Sequence, residues 1–133
     1  MGKIRRDDKQ RIESVLDKLE QAYPDATTEL VHKNPFQLLI ATMLSAQTTD
    51  KQVNKVTPAL FQRFPDAGSL AAADLSEIED LIKTCGFYKT KARNIKEACR
   101  VIAEKYQGRV PDTLDELTSL PGVGRKTANV VLS

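Results

Sequence analysis

The chain has 133 residues, 41% of them hydrophobic, with 20 Lys and Arg against 18 Asp and Glu and a formal charge of +2. That length suffices for one buried core and leaves little room for a second domain, and so mild a charge identifies no partner by itself. Residues 1–11 are charged rather than apolar and no run approaches membrane length, which argues against a signal peptide, a spanning helix or a membrane partner and makes the cytoplasm the expected location.

In chain order, Ile12, Val15, Leu16 and Leu19 mark one face of an amphipathic helix over about 8–23, stopped by Pro24. Asn34 is placed to cap a second helix with Pro35 at its first position, and the run through Leu44 is apolar on nearly every side, which predicts a central, buried element. A third helix is expected from Asp50, its predicted cap, through Val53, Val56, Leu60 and Phe61, with Pro58 kinking or breaking it. Ser76 to Glu79 has the capping-box pattern for a short helix closed by Gly86, and Thr113 to Glu116 repeats the device. Between them Ile95, Ala98, Cys99, Ile102 and Tyr106 trace a long helix ending near Gly108. No segment alternates as a strand and no repeat appears, so the fold class is all-α.

The last segment carries the most chemistry. Two short apolar helices flank Pro121, Gly122, Val123 and Gly124, where a tight turn aims free amides at an anion lying against the second helix's N-terminus. Glycine at 122 and 124 lets the backbone turn sharply and approach a phosphate, Val123 anchors the turn in the core, and Leu117, Leu120, Ala128 and Val131 seal the helices together. In this apolar frame the pattern reads as a helix-hairpin-helix, a clamp for the DNA backbone that does not read sequence. Lys126 falls in the first turn of the second helix, where the macrodipole and neighbouring Arg125 both disfavour an ammonium ion and so favour a nucleophilic amine. The alternative is that Lys126 is one more phosphate contact.

Two other loops are candidates. Residues 45–50 join buried helices through polar residues, and Gln47 there has the size and amide chemistry to fill the space of an extruded base and bond its orphaned partner, the alternative being a solvated turn. Phe87 either wedges between bases or anchors its loop in the core, while Lys89 and Lys91 beside it suit phosphates and Tyr88 suits the core. Lys83, Lys89, Lys91, Arg93 and Lys96 make this segment locally basic. Cys85 and Cys99 are too few and too far apart for a metal site and are expected as buried thiols, and His32 has no catalytic partners near it in sequence.

The segments NPFQLLI at 34–40, LSAQTTD at 44–50, CGFYKTKARNI at 85–95 and LPGVGRKTANVVL at 120–132 resemble, in order and spacing, the endonuclease III family of DNA glycosylase/AP lyases. The resemblance implies base excision repair of oxidised pyrimidines in damaged duplex DNA, by a monomer acting at the bacterial nucleoid. It makes Lys126 the amine that attacks the sugar C1′ and forms a Schiff base, and Gln47 the void-filling residue. An aliphatic residue is common in the family where Phe87 stands, and related adenine glycosylases lack the lysine.

The family continues into an aspartate and a cysteine cluster holding a [4Fe-4S] centre, and nothing in this sequence matches either. With Ser133 ending a helix that has no cap, the sequence is expected to be incomplete on that side and weakly active alone. Residues 1–33 are then expected to pack on a subdomain completed by missing sequence, and 34–133 to form a helical domain ending in the hairpin at about 113–133. The competing reading is a non-catalytic helix-hairpin-helix DNA-binding module.

Overall fold

The computed structural model describes residues 29–133, and among them every regular element is an α-helix. The helix expected over 8–23 lies outside the described residues. Asn34 caps α1 (Pro35–Ser45) as its sequence implies, its side-chain oxygen accepting from the Gln37 N–H at 2.9 Å with Pro35 at the first turn. Because Phe36, Leu39, Ile40, Ala41, Met43 and Leu44 are all buried, α1 has to sit inside, and it does so against α2 (Asp50–Arg63), α5 (Tyr88–Lys105) and α7 (Arg125–Leu132).

The structure corrects three expectations about helix ends. Thr49, not Asp50, caps α2, accepting from the Gln52 N–H at 3.1 Å. Asp50 is instead the first helical residue, where its charge complements the positive end of the helix and its carboxylate accepts from the Glu29 N–H at 3.3 Å. Pro58 does not break α2. Its ring faces solvent, and Val53, Val56 and Leu60 hold the helix to the core on both sides of it. The capping box at Ser76 does not form either, since α4 (Leu75–Ile82) starts after Asp74 and takes Ser76 into its first turn; Leu75, Ile78 and Ile82 are needed on one packed stripe. Thr113 does cap α6 (Leu114–Thr118) through the Glu116 N–H, and Glu116 answers with its carboxylate on the Thr113 hydroxyl at 2.9 Å.

One short helix, α3 (Ala67–Ala72), was not legible from apolar periodicity. Its signal is the Asp66–Ser69 pair after Pro65, which forms a reciprocal capping box. The long helix α5 runs beneath α3 and α4 and touches α1, burying Ile95, Ala98, Cys99 and Ile102. It closes where expected, the Gly108 N–H donating to the Ile102 carbonyl at 2.9 Å. Buried residues from Leu30 to Ala128 form one hydrophobic cluster.

Cys85 and Cys99 are free and buried in it. Burial pushes the Cys99 thiol up to about 12, with the Asp66 carboxylate adding to the effect. Burial also raises the Cys85 thiol, partly offset by Lys91. A raised thiol holds less thiolate at any working pH. Iodoacetamide at pH 8 is therefore expected to leave both unmodified in native protein and to alkylate both after denaturation, read by peptide mass mapping. Rapid native labelling of Cys99 would contradict this packing.

Candidate functional site

Three backbone turns come together, 46–49 after α1, 83–87 before α5 and 119–124 between α6 and α7, with Gln47, Phe87 and Gly122 lining one cavity. In the hairpin, Val123 is buried and Leu117, Leu120 and Ala128 pack beneath it, with Val131 partly buried beside them. The two glycines serve different ends. Gly122 has φ +77, and a Cβ there would lie 2.6 Å from the Cβ of Asn94 on α5, so a side chain is excluded by both backbone and neighbour. Gly124 caps α7 with extended backbone, and a Cβ there would meet nothing within 4 Å. No side chain caps α7, so the positive end of that helix is open beside Gly124.

Lys126 is the second residue of α7 and is exposed, as is Arg125. Because α7 packs against α1, Lys126 and Gln47 line the same pocket of about 330 Å³, with Thr42, Ala46 and Asp50 on its α1–α2 side and Leu30 at its edge. Sequence reasoning did not place Thr42, Asp50 or Leu30 there, since only the α1–α7 packing joins them. His32 lies apart from this pocket, its Nδ1 donating to the Leu30 carbonyl at 2.9 Å.

Gln47 and Phe87 share a property the sequence does not reveal. Both are non-glycine residues in the left-handed region, at φ 60 and φ 55, which costs about 1–2 kcal/mol each and persists only where the surroundings enforce it. Both side chains are exposed, Phe87 to 68%, so the core-anchoring alternative for Phe87 is excluded and that role falls to half-buried Tyr88. The two turns touch. A Cβ on Gly86 would lie 2.9 Å from the Gln47 carbonyl oxygen, and the Gly86 N–H donates to Thr48 Oγ1 at 2.9 Å.

Lys91 corrects the expectation of a phosphate contact. It is 8% exposed, and its ammonium donates to the carbonyls of Leu44 (2.7 Å) and Ala46 and to Thr48 Oγ1 (3.0 Å). Burial lowers its pKa, with Cys85 working weakly against that. Placing an ammonium inside costs several kcal/mol; three charge-assisted bonds at about 1.5–3 kcal/mol each and the negative end of α1 offset it. Lys96 likewise turns inward, donating to Ala71 and Ala73 carbonyls at 2.7 and 2.8 Å at the end of α3. Of the basic segment, Lys83, Lys89 and Arg93 stay exposed. The signal for Lys91 was present: it lies four residues before Ile95, in register with the buried stripe of α5.

Among the described residues, no group of three or more His, Cys, Asp or Glu is placed to hold a metal ion, and no helix is long and apolar enough to cross a membrane.

Residues 40–131 match the family model described as HhH-GPD superfamily base excision DNA repair protein. The chain is 58% identical over 125 residues to endonuclease III of Synechocystis, covering 94% of this chain and 57% of that protein. To endonuclease III of Bacillus subtilis it is 50% identical over 123 residues, covering 92% and 56%. A solved structure of a trapped endonuclease III–DNA covalent intermediate, an estranged-adenine complex, superposes with TM-score 0.79 at 53% identity, covering 94% of this chain and 59% of that one. The chain thus spans little more than half the length of the relatives it matches.

Proposed function

The chain belongs to the HhH-GPD superfamily of base excision DNA repair proteins, and we propose that the whole protein is a DNA N-glycosylase with AP lyase activity on oxidised pyrimidines in duplex DNA, acting as a cytoplasmic monomer at the nucleoid. The observation that carries this reading is the shared pocket: an amine, Lys126, and an amide, Gln47, face one cavity beside an uncapped helix end. A clamp that only held phosphates has no use for a lysine lining a cavity with the residue suited to replace a base, which weighs against the non-catalytic module.

In this reading the amides around Gly124, with Arg125, hold the backbone on one side of the lesion, and Lys89 holds it on the other. Phe87 wedges the stack open and Gln47 takes the space of the extruded base. The Lys126 Nζ lone pair attacks C1′ as the glycosidic bond breaks, the bonding pair leaving with the base, which takes up a proton. Opening of the sugar ring gives a protonated imine. Loss of a C2′ proton then expels the 3′ phosphate by β-elimination, and water releases the amine. The [4Fe-4S] centre that the resemblance implies does not fit the described residues, where Cys85 and Cys99 are free, buried thiols and no group of three or more His, Cys, Asp or Glu is placed to hold a metal.

The test uses the whole protein on duplexes carrying one oxidised pyrimidine, with unmodified duplex as control. Release of the modified base together with a β-elimination strand break is expected on the first only. Tight binding of both duplexes without base release would favour the non-catalytic module.

A further inference from the structure

Gln47 and Phe87 stand on separate turns, 40 residues apart in sequence, yet a single buried cation reaches across to the frame of both. The three acceptors of the Lys91 ammonium, the Leu44 and Ala46 carbonyls and Thr48 Oγ1, enclose Gln47 from either side. Thr48 Oγ1 in turn accepts from the Gly86 N–H, the residue before Phe87, and Gln52 Nε2 donates to Thr84 Oγ1 at 2.6 Å to fasten the same two segments a second time. Lys91 itself lies one turn into the helix that Phe87 opens, where the Lys91 N–H donates to the Phe87 carbonyl at 3.0 Å. An ammonium has three protons, and all three are engaged here. Its direction is therefore fixed, and so is the backbone around it.

We propose that Lys91 is a positioning residue that holds Gln47 and Phe87 as one rigid two-pronged unit, so that the void-filling amide and the wedge enter the duplex together at a set separation. The proposal rests on the assignment of Gln47 as the residue that replaces the extruded base. Neither left-handed turn has a glycine at its strained position, so each depends on its surroundings to stay there, and among the described residues Lys91 is the one side chain bonded to the residues on both sides of Gln47. With all its protons committed and its side chain buried, Lys91 is not itself a second nucleophile.

The experiment uses the whole protein and a duplex with 2-aminopurine opposite the lesion, whose fluorescence reports occupation of the void. Lys91→Met keeps the length of the side chain and removes its three bonds. It is expected to slow single-turnover base excision on the order of ten- to a hundredfold, as misplacement of a positioned group does, and to lose most of the 2-aminopurine response. Binding of undamaged duplex is expected to stay within about twofold, because the exposed phosphate contacts are untouched. In a Gln47→Ala background the same change should add far less than it does in the unaltered protein, since the part of its effect that passes through Gln47 is already gone and only the part through Phe87 remains.

Full multiplication of the two losses, or an unchanged fluorescence response in Lys91→Met, would overturn the proposal. An undiminished excision rate in Gln47→Ala alone would instead overturn the assignment of Gln47, and with it the premise. Should Lys91→Met fail to fold, Thr48→Val carries the test. It keeps the shape and the lysine but removes the acceptor shared by Lys91 and Gly86, and it is expected to show the same pattern at smaller size. Normal excision and normal fluorescence in Thr48→Val would refute the proposal.

Discussion

Lys126→Ala in the whole protein is expected to abolish the covalent adduct that sodium borohydride traps on DNA containing an oxidised pyrimidine or an abasic site. Reduction fixes only an imine, and an imine requires a primary amine on C1′. Lys126 lines the cavity of about 330 Å³ with Gln47 and is exposed, whereas Lys91, which lines a second cavity beside Gln47, has every proton bonded inside the fold and Lys96 is tied to the end of α3. Removing a nucleophile is expected to cost on the order of 10³-fold or more in base excision. The competing role makes a different demand on the same variant. A lysine that merely neutralised a phosphate would leave excision and trapping intact, weaken binding equally on all duplexes and lower the salt dependence by about one unit of slope. Full trapping by Lys126→Ala, accompanied by that change in slope, would return Lys126 to the phosphate backbone. Loss of trapping with binding largely kept would establish it as the nucleophile.

How much of this was legible in the sequence depended on whether the signal was local. The Asn34–Pro35 start of α1, the Thr113 cap and the apolar frame of the hairpin are set by residues within a turn or two of one another, and all three stand in the structure as their residue types imply. Ser76 failed for the opposite reason. Its capping pattern was genuine, but packing of Leu75, Ile78 and Ile82 on one stripe takes two more helical residues, Leu75 and Ser76, than a cap at Ser76 allows. Lys91 shows the limit of reading charge as exposure. Composition counts it with Lys89 and Arg93 in a basic cluster, yet helical register puts it on the buried stripe with Ile95 and Ile102, and the register was the better guide. The left-handed backbone of Gln47 and Phe87 left no mark in residue type at all, because neither position is occupied by glycine. The contact of the two turns, which needs Gly86 to be bare, is part of what holds them there.

The hairpin's two glycines are expected to separate folding from binding. At Gly122 an alanine meets two penalties: a φ of +77, worth about 1–2 kcal/mol for a residue with a Cβ, and a contact of 2.6 Å with the Cβ of Asn94, where overpacking costs about 1–3 kcal/mol. The nearest atom is a Cβ fixed to the backbone of α5, so Asn94 cannot yield by rotating its amide, and Asn94→Ala should not rescue Gly122→Ala. A loss of roughly 3 kcal/mol corresponds to a fall in Tm of about 6–12 °C for a protein of 150–250 residues, with DNA binding lost alongside. At Gly124 the backbone is extended at φ −91 and ψ 179 and the space around a Cβ is open, so Gly124→Ala is compatible with the fold. Only the weaker helix cap is lost, at about 0.5 kcal/mol. That open space is where a phosphate would approach the amides of α7 in the proposed complex. Gly124→Ala, and more strongly Gly124→Val, should therefore weaken binding to every duplex alike, damaged or not, while Tm moves by no more than about 2 °C. Thermal melts and binding isotherms on both variants decide it. Equal losses of Tm at the two positions would mean that Gly124 is a folding residue like Gly122, and a loss at Gly124 confined to one DNA sequence would mean that the hairpin reads bases rather than backbone.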